Sequence, residues 1–168
     1  LHYQEKAAII GPNGVGKSTL IKYILNIYEK KLFDPKNKMA NNLFIGYIPQ
    51  EITFPDDKQT IYNYVKSFTE EDETHLRSSL SKYFFYDDLI YKPVGVLSGG
   101  EKVRLKLFEL IQKKANLIIL DEPTNHLDIT TLEVLEEALS KYQGTLLIVS
   151  HDRYFINKVC GKFIFFQV

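Results

Sequence analysis

The chain has 168 residues, a length for one domain with room for an inserted subdomain. It is long enough to bury roughly 70% of its unfolded surface without disulfide staples. Hydrophobic residues at 45% and charged residues at 25% exclude wholesale disorder, and Cys160, the only cysteine, excludes a disulfide framework and a multi-thiolate metal site. Twenty-one basic residues balance twenty-one acidic ones, so no global field draws the chain to nucleic acid or to an anionic membrane. No run reaches the ~18 to 20 apolar residues of a bilayer span, and the N-terminus lacks a signal-peptide layout. The expectation is a soluble, cytoplasmic module without membrane insertion.

Apolar runs and helical patterns alternate along the chain. Lys6 to Ile10 reads as a short buried strand closed by Gly11. Leu20, Ile21, Ile24, Leu25 and Tyr28 recur at helical spacing over Lys17 to Tyr28. Leu43 to Ile48 reads as a second strand stopped by Pro49. Leu117 to Leu120 and Thr145 to Val149 are near-continuous aliphatic runs, the pattern of parallel strands covered on both faces. Leu132, Leu135, Leu139 and Tyr142 mark a helix face between them, and Phe163 to Phe166 is a last strand. This order implies an α/β architecture with a mostly parallel sheet. From about Ile52 to Lys114 no aliphatic strand run occurs, and Val103, Leu107, Leu110 and Ile111 are helically spaced. The expectation is a mainly helical insertion, its acidic cluster at Glu70, Glu71, Asp72 and Glu73 being a solvated loop or helix start rather than a metal site.

Gly11 to Ser18, GPNGVGKS, matches G-x-x-x-x-G-K-[ST] between a strand and a helix. Gly11, Gly14 and Gly16 can adopt backbone angles closed to other residues, letting successive N–H groups converge on phosphate oxygens. The helix that follows directs its positive end at the same anion. Lys17 supplies a charge at the β/γ-phosphates, and the Ser18 hydroxyl is a ligand for Mg²⁺. A second anchor is Leu117 to Pro123, where a buried strand ends in Asp121 at the carboxyl edge of the sheet, the place where such sheets bind ligands. Asp121 would hold Mg²⁺ through water, and Glu122 is the natural general base for an attacking water.

Leu97 to Glu101 reads LSGGE. Ser98 and Glu101 form a capping box in sequence, but that does not account for Gly99 and Gly100, which would let a helix tip approach an anion unobstructed. LSGGEKVRL resembles the signature motif of ABC-type ATPases, and five more segments fall in that family's order: GPNGVGKST, Gln50 in YIPQE, LIILDEP, NHLD (Asn125, His126, Leu127, Asp128) and His151 in IVSHD. The resemblance covers essentially the whole chain. It implies a P-loop, RecA-like core, an ATPase activity with ATP and Mg²⁺ as cofactors, and a nucleotide-binding set extended to Pro12, Asn13, Val15 and Thr19. Gln50 would sense Mg²⁺ and water, and His151 would contact the γ-phosphate. Ser98, Gly99, Gly100 and Glu101 would face the nucleotide of a second ABC module packed head to tail, with residues 125–128 as the D-loop.

The NHLD form is similar to the ABC-F group, soluble tandem-module proteins acting on the ribosome, in contact with rRNA and tRNA, in translation or antibiotic protection. The short interval from Gln50 to Leu97 favours the C-terminal module of such a protein. The alternative is the ATP-binding subunit of a membrane transporter; a chromosome-organising ATPase would need heptads that are not seen. Members of the family carry an adenine-stacking aromatic about two dozen residues before the phosphate loop. Here the chain starts ten residues before Gly11, and Tyr3 is expected to pack beside the first strand. The reading is therefore of a piece lacking its antiparallel β-subdomain and its partner module, with slow or no hydrolysis alone.

Overall fold

The computed structural model describes residues 1–30, 42–125 and 127–166. Strands β1 (Lys6–Ile10), β2 (Ile45–Ile48), β3 (Leu117–Asp121), β4 (Thr145–Val149) and β5 (Lys162–Phe165) form one sheet in the order β2-β3-β4-β1-β5. Every pairing is parallel. Parallel neighbours require crossovers, and helices supply them: α1 (Lys17–Glu29), α2 (Ile61–Lys66), α3 (Glu73–Ser81), α4 (Gly99–Gln112), α5 (Ile129–Lys141) and α6 (Arg153–Val159). This is the α/β class that the alternation of runs predicts.

The aliphatic strands read as continuous because both of their faces are covered. Ala7, Ile9, Ile119, Leu147 and Val149 pack with Ile21 of α1 on one side. Ala8, Ile118, Leu120, Leu146 and Ile148 pack with Leu105, Leu107, Leu135, Leu139 and Phe155 of α4, α5 and α6 on the other. Alternate residues of one strand thus belong to different clusters, as the period of two demands.

Residues 52–114 contain α2, α3, α4 and two short 3-10 turns (Asp87–Tyr91 and Val94–Val96), and no strand. Asp72 caps α3 by accepting the His75 amide at 2.9 Å, and Glu73 pairs with Arg77 at 3.0 Å. Asp72 and Glu73 are the helix start, whereas Glu71 departs from the solvated cluster expected: its part-buried carboxylate accepts from the Gln112 side chain at 3.4 Å. Among the described residues no group of side chains is arranged to hold a metal ion by itself. None of the described helices is long and apolar enough to cross a membrane.

Four local expectations shift. β2 starts at Ile45 rather than Leu43, because the Phe44 amide donates to the Asn116 side chain at 2.8 Å instead of to a strand carbonyl. β5 takes in Lys162 and releases Phe166. α5 ends at Lys141; Tyr142 is extended and its hydroxyl donates to the Ala115 carbonyl. Tyr3 does not pack beside β1: Gln4 has a left-handed backbone (φ 64°), its amide is held by the Thr145 hydroxyl at 3.0 Å, and Tyr3 is turned out to 75% exposure.

Glu109 of α4, 5% exposed, ties the insertion together. It accepts from the Tyr64 hydroxyl at 2.5 Å and pairs with Lys106 at 2.8 Å and Lys113 at 2.6 Å. Burial alone would raise its pKa, but the two lysines and the tyrosine more than offset that and hold it below the ordinary 4.5. A carboxylate whose folded pKa is depressed contributes stability above its unfolded value and loses it as pH falls through the folded one. Glu109→Gln should therefore cost about 1–3 kcal/mol near neutrality and flatten the acid limb of the stability profile; urea unfolding across pH measures both.

Candidate functional site

The carboxyl ends of β1, β2, β3 and β4 lie along one edge of the sheet. Register pairs Ile9 with Val149, Asp121 with Val149, and Ile48 with Leu120, so the turns after the four strands start at nearly the same level. Those turns border one cavity of about 460 Å³, lined by Asn13, Gly14, Gly16, Lys17, Ser18, Thr19, Gln50, Asp121, Glu122, Asn125, Val149 and His151.

The loop after β1 is built for an anion. Gly14 (φ 78°) and Gly16 (φ 105°) take left-handed angles and a Cβ on either would meet nothing, so conformation alone demands glycine there. Gly11 is different. Its φ is ordinary, and a Cβ would come within 2.8 Å of the Phe166 carbonyl oxygen and 3.2 Å of Val15, so close approach of the chain after β5 requires it. Helices α2, α3, α4, α5 and α6 each receive a side-chain cap, from Thr60, Asp72, Ser98, Asp128 and Asp152. α1 begins on Gly16 with no side-chain cap, which leaves its first N–H groups free for a ligand. Lys17, 7% exposed, donates to the Gly11 and Pro12 carbonyls at 2.8 and 2.9 Å.

Asp121 ends β3, 7% exposed. Glu122 follows in a left-handed backbone (φ 50°), strain worth about 1–3 kcal/mol for a non-glycine residue, held because its amide donates to the Val149 carbonyl at 2.7 Å. That twist separates the two acids: Asp121 stays with the strand while Glu122 turns to His151. The Glu122 carboxylate accepts from the His151 amide and lies against its Nε2, each at 3.2 Å. The same Nε2 is 3.3 Å from the Lys17 ammonium. It cannot accept from Lys17 and donate to Glu122 at once, so only one of the two contacts is a hydrogen bond in either tautomer.

Oxygen donors for a divalent cation are present in the cavity as the Asp121 carboxylate, the Ser18 hydroxyl and the Gln50 amide. One carboxylate and two neutral oxygens fit Mg²⁺, which takes few protein ligands and completes its shell with phosphate oxygens and water.

Ser98, Gly99, Gly100 and Glu101 do not border this cavity. Ser98 accepts the Glu101 amide at 3.3 Å and the Glu101 side chain accepts the Ser98 amide at 2.8 Å, the capping box read from sequence. The two glycines differ. A Cβ on Gly99 would meet nothing, whereas on Gly100 it would lie 2.8 Å from Thr131 Cγ2 and 3.3 Å from Leu127 Cδ2. Gly100 thus packs inward on the start of α5, and only Gly99 leaves open space at the helix tip. Asp128 caps α5 through the Thr131 amide at 2.9 Å and hydroxyl at 2.8 Å. Asn125 lines the cavity of its own chain, and His126 lies outside the described residues. Sequence reasoning missed the link between the turns at the ends of β3 and β4. The Thr124 and Ser150 hydroxyls are 3.1 Å apart, and Ser150, 1% exposed, also accepts the Asp152 amide at 3.1 Å. Its signal was a small hydroxyl residue within a few positions of each strand end.

A glycine-lined loop after β1, with acids at the end of β3 and a histidine beyond β4, defines a P-loop α/β protein of the nucleoside-triphosphate-binding class. Residues 1–125 match the ABC transporter family model. Putative ATP-binding protein YdiF of Bacillus subtilis is 44% identical over 159 residues, 94% of this chain and 24% of that protein. ABC transporter F family member 2 of Arabidopsis thaliana is 41% identical over 162 residues, 95% of this chain and 24% of that protein. Among solved structures, the crystal structure of the archaeal ribosome recycling factor aABCE1 with the ribosomal stalk protein aP1 superposes with a TM-score of 0.77 at 27% identity. It covers 100% of this chain and 33% of that one. The chain belongs to the ABC transporter family, as an ATP-binding domain of the ABC-F type. It spans about a quarter of the length of the two curated relatives named.

Gly100→Ala should lose about 1–3 kcal/mol through overpacking, with part regained when Thr131→Ser removes the clashing methyl. Gly99→Ala should stay within about 0.5 kcal/mol of the parent; thermal unfolding of the three variants decides.

Proposed function

We propose that this chain is one of two ATPase modules of an ABC-F-type protein, the C-terminal one, whose ATP-driven closure acts on the ribosome. In this reading residues 52–114 are the helical subdomain on an α/β core of 1–51 and 115–168. The observation that carries the chemistry is the convergence of Lys17, Ser18, Gln50, Asp121, Glu122 and His151 on one cavity. The ribosomal part is supported by likeness to a ribosome recycling factor and by relatives of the F family.

The loop amides and the uncapped start of α1 would take the phosphates, and Lys17 would exchange its two carbonyl contacts for phosphate oxygens. Ser18, Gln50 and Asp121 would hold Mg²⁺, which would supply neutralisation of phosphate charge. Glu122 would accept a proton from water as the water oxygen attacks the γ-phosphorus and the bond to the β–γ bridging oxygen breaks, giving ADP and phosphate. His151 would contact the γ-phosphate of the bound ATP. The open Gly99 tip of α4, with the Ser98 end of the helix, would seal the nucleotide of the second module, packed head to tail, and residues 125–128 would lie at that junction. Because the tip and the cavity of one chain are apart, a single module would turn over slowly.

In the full-length protein Glu122→Gln should keep ATP binding and lower turnover by about 10²–10⁴-fold, trapping the closed pair. Steady-state phosphate release checks this, and unchanged release removes Glu122 as the base. Lys17→Ala should weaken ATP about tenfold or more, read by nucleotide titration. With ATP, the Glu122→Gln protein should co-sediment with ribosomes; its absence from the ribosomal pellet rejects the ribosomal reading and leaves the ATPase chemistry standing.

A further inference from the structure

Asn116 and Gly144 precede β3 and β4, so they mark the edge of the sheet opposite the phosphate loop. There the C-terminal ends of α3, α4 and α5 border a second, larger cavity of about 780 Å³. Its walls are aromatic. Tyr83 packs edge-on against Phe108 at 5.3 Å, and Tyr142 is fixed to the Ala115 carbonyl. Phe84 and Tyr86 meet edge to face at 5.8 Å and remain 39% and 49% exposed.

Two backbone outliers lie on this cavity. α3 closes with the Phe85 amide on the Leu80 carbonyl and the Phe84 amide on Ser81; α4 closes with Ala115 on Leu110 and Lys114 on Ile111. Both are the helix ending whose left-handed position is ordinarily glycine. Here the occupants are Phe84 (φ 63°) and Lys114 (φ 59°), each retained against a backbone cost. The Phe84 ring has the Arg104 guanidinium 5.8 Å over it, and the two side chains together place a ring and an ammonium at one cavity.

Charge at the rim is positive. Lys82, Lys114 and Lys141 line it against one carboxylate, Glu137, which is already bound to Lys141 at 2.6 Å. Lys82 and Lys114 make no ion pair among the described residues, and each carries a full charge against the roughly half charge of a helix end. Exposed rings beside unpaired lysines are the chemistry that holds stacked bases and their phosphates.

We propose that this cavity binds a short stretch of single-stranded RNA, with bases on Phe84 and Tyr86 and phosphates on Lys82 and Lys114. The site deepens the ribosomal reading by giving the module an RNA contact of its own, yet it is independent of the ATP cavity.

The test is fluorescence anisotropy of a labelled single-stranded oligoribonucleotide titrated with the chain. Lys114→Gly relieves the left-handed backbone and should fold at least as well as the parent, while Phe84→Gly trades the same relief against the ring's contacts with Tyr86 and Arg104; thermal unfolding checks that both are folded. Each should weaken binding about tenfold, and Lys114→Gly should also reduce the slope of log affinity against log salt by about 0.7. Lys17→Ala should leave RNA binding unchanged, and Phe84→Gly should leave the ATP titration unchanged. Glycine variants that bind like the parent, no binding at all, or equal competition by duplex RNA or by an uncharged aromatic peptide would overturn the proposal. Oligonucleotide binding in a protein that never joins ribosomes would sink the ribosomal reading alone.

Discussion

Everything at the cavity beyond β1 depends on parallel strand pairing. Parallel ladders place the carboxyl ends of β1, β2, β3 and β4 side by side, so four turns far apart in sequence meet at one edge. An antiparallel exchange of any one of them would send its motif to the far side of the molecule. The pairing is maintained by burial on both faces, which is why β3 and β4 are aliphatic runs whose polar residues, Asp121 and Thr145, stand only at their ends.

The short connection from Asp121 to Thr131 joins two kinds of surface. Its first residues and Asn125 border the cavity, while Leu127 and Thr131 are packed under Gly100 at the tip of α4. A shift at the cavity end therefore meets a close-packed contact at the other, and close-packed contacts transmit displacement instead of absorbing it. The hydroxyl pair of Thr124 and Ser150 fastens the same connection to the turn after β4.

Much of this was legible in the sequence. Strand runs, the helical insertion, the capping box and the phosphate loop are local patterns in which residue type and spacing carry the physics. Glycine roles were legible only in part, because sequence does not distinguish a residue needed for its backbone angle from one needed for its missing side chain. Gly11 and Gly100 are of the second kind, their neighbours Phe166 and Thr131 being distant in the chain. Tyr142 at the end of α5 and the outward turn of Tyr3 were misread for a related reason: a single long-range hydrogen bond in each neighbourhood overrides the local periodicity. The rings and lysines at the far edge carry no motif, since they come from three helix ends that only the fold assembles.

The imidazole of His151 has one nitrogen between an ammonium and a carboxylate, and it can satisfy only one of them. Whichever contact carries the hydrogen bond, the other sets like against like, a bare lone pair facing the carboxylate or an N–H facing the ammonium. A change at either neighbour is therefore felt by the other through a single atom, with no moving part larger than a side chain.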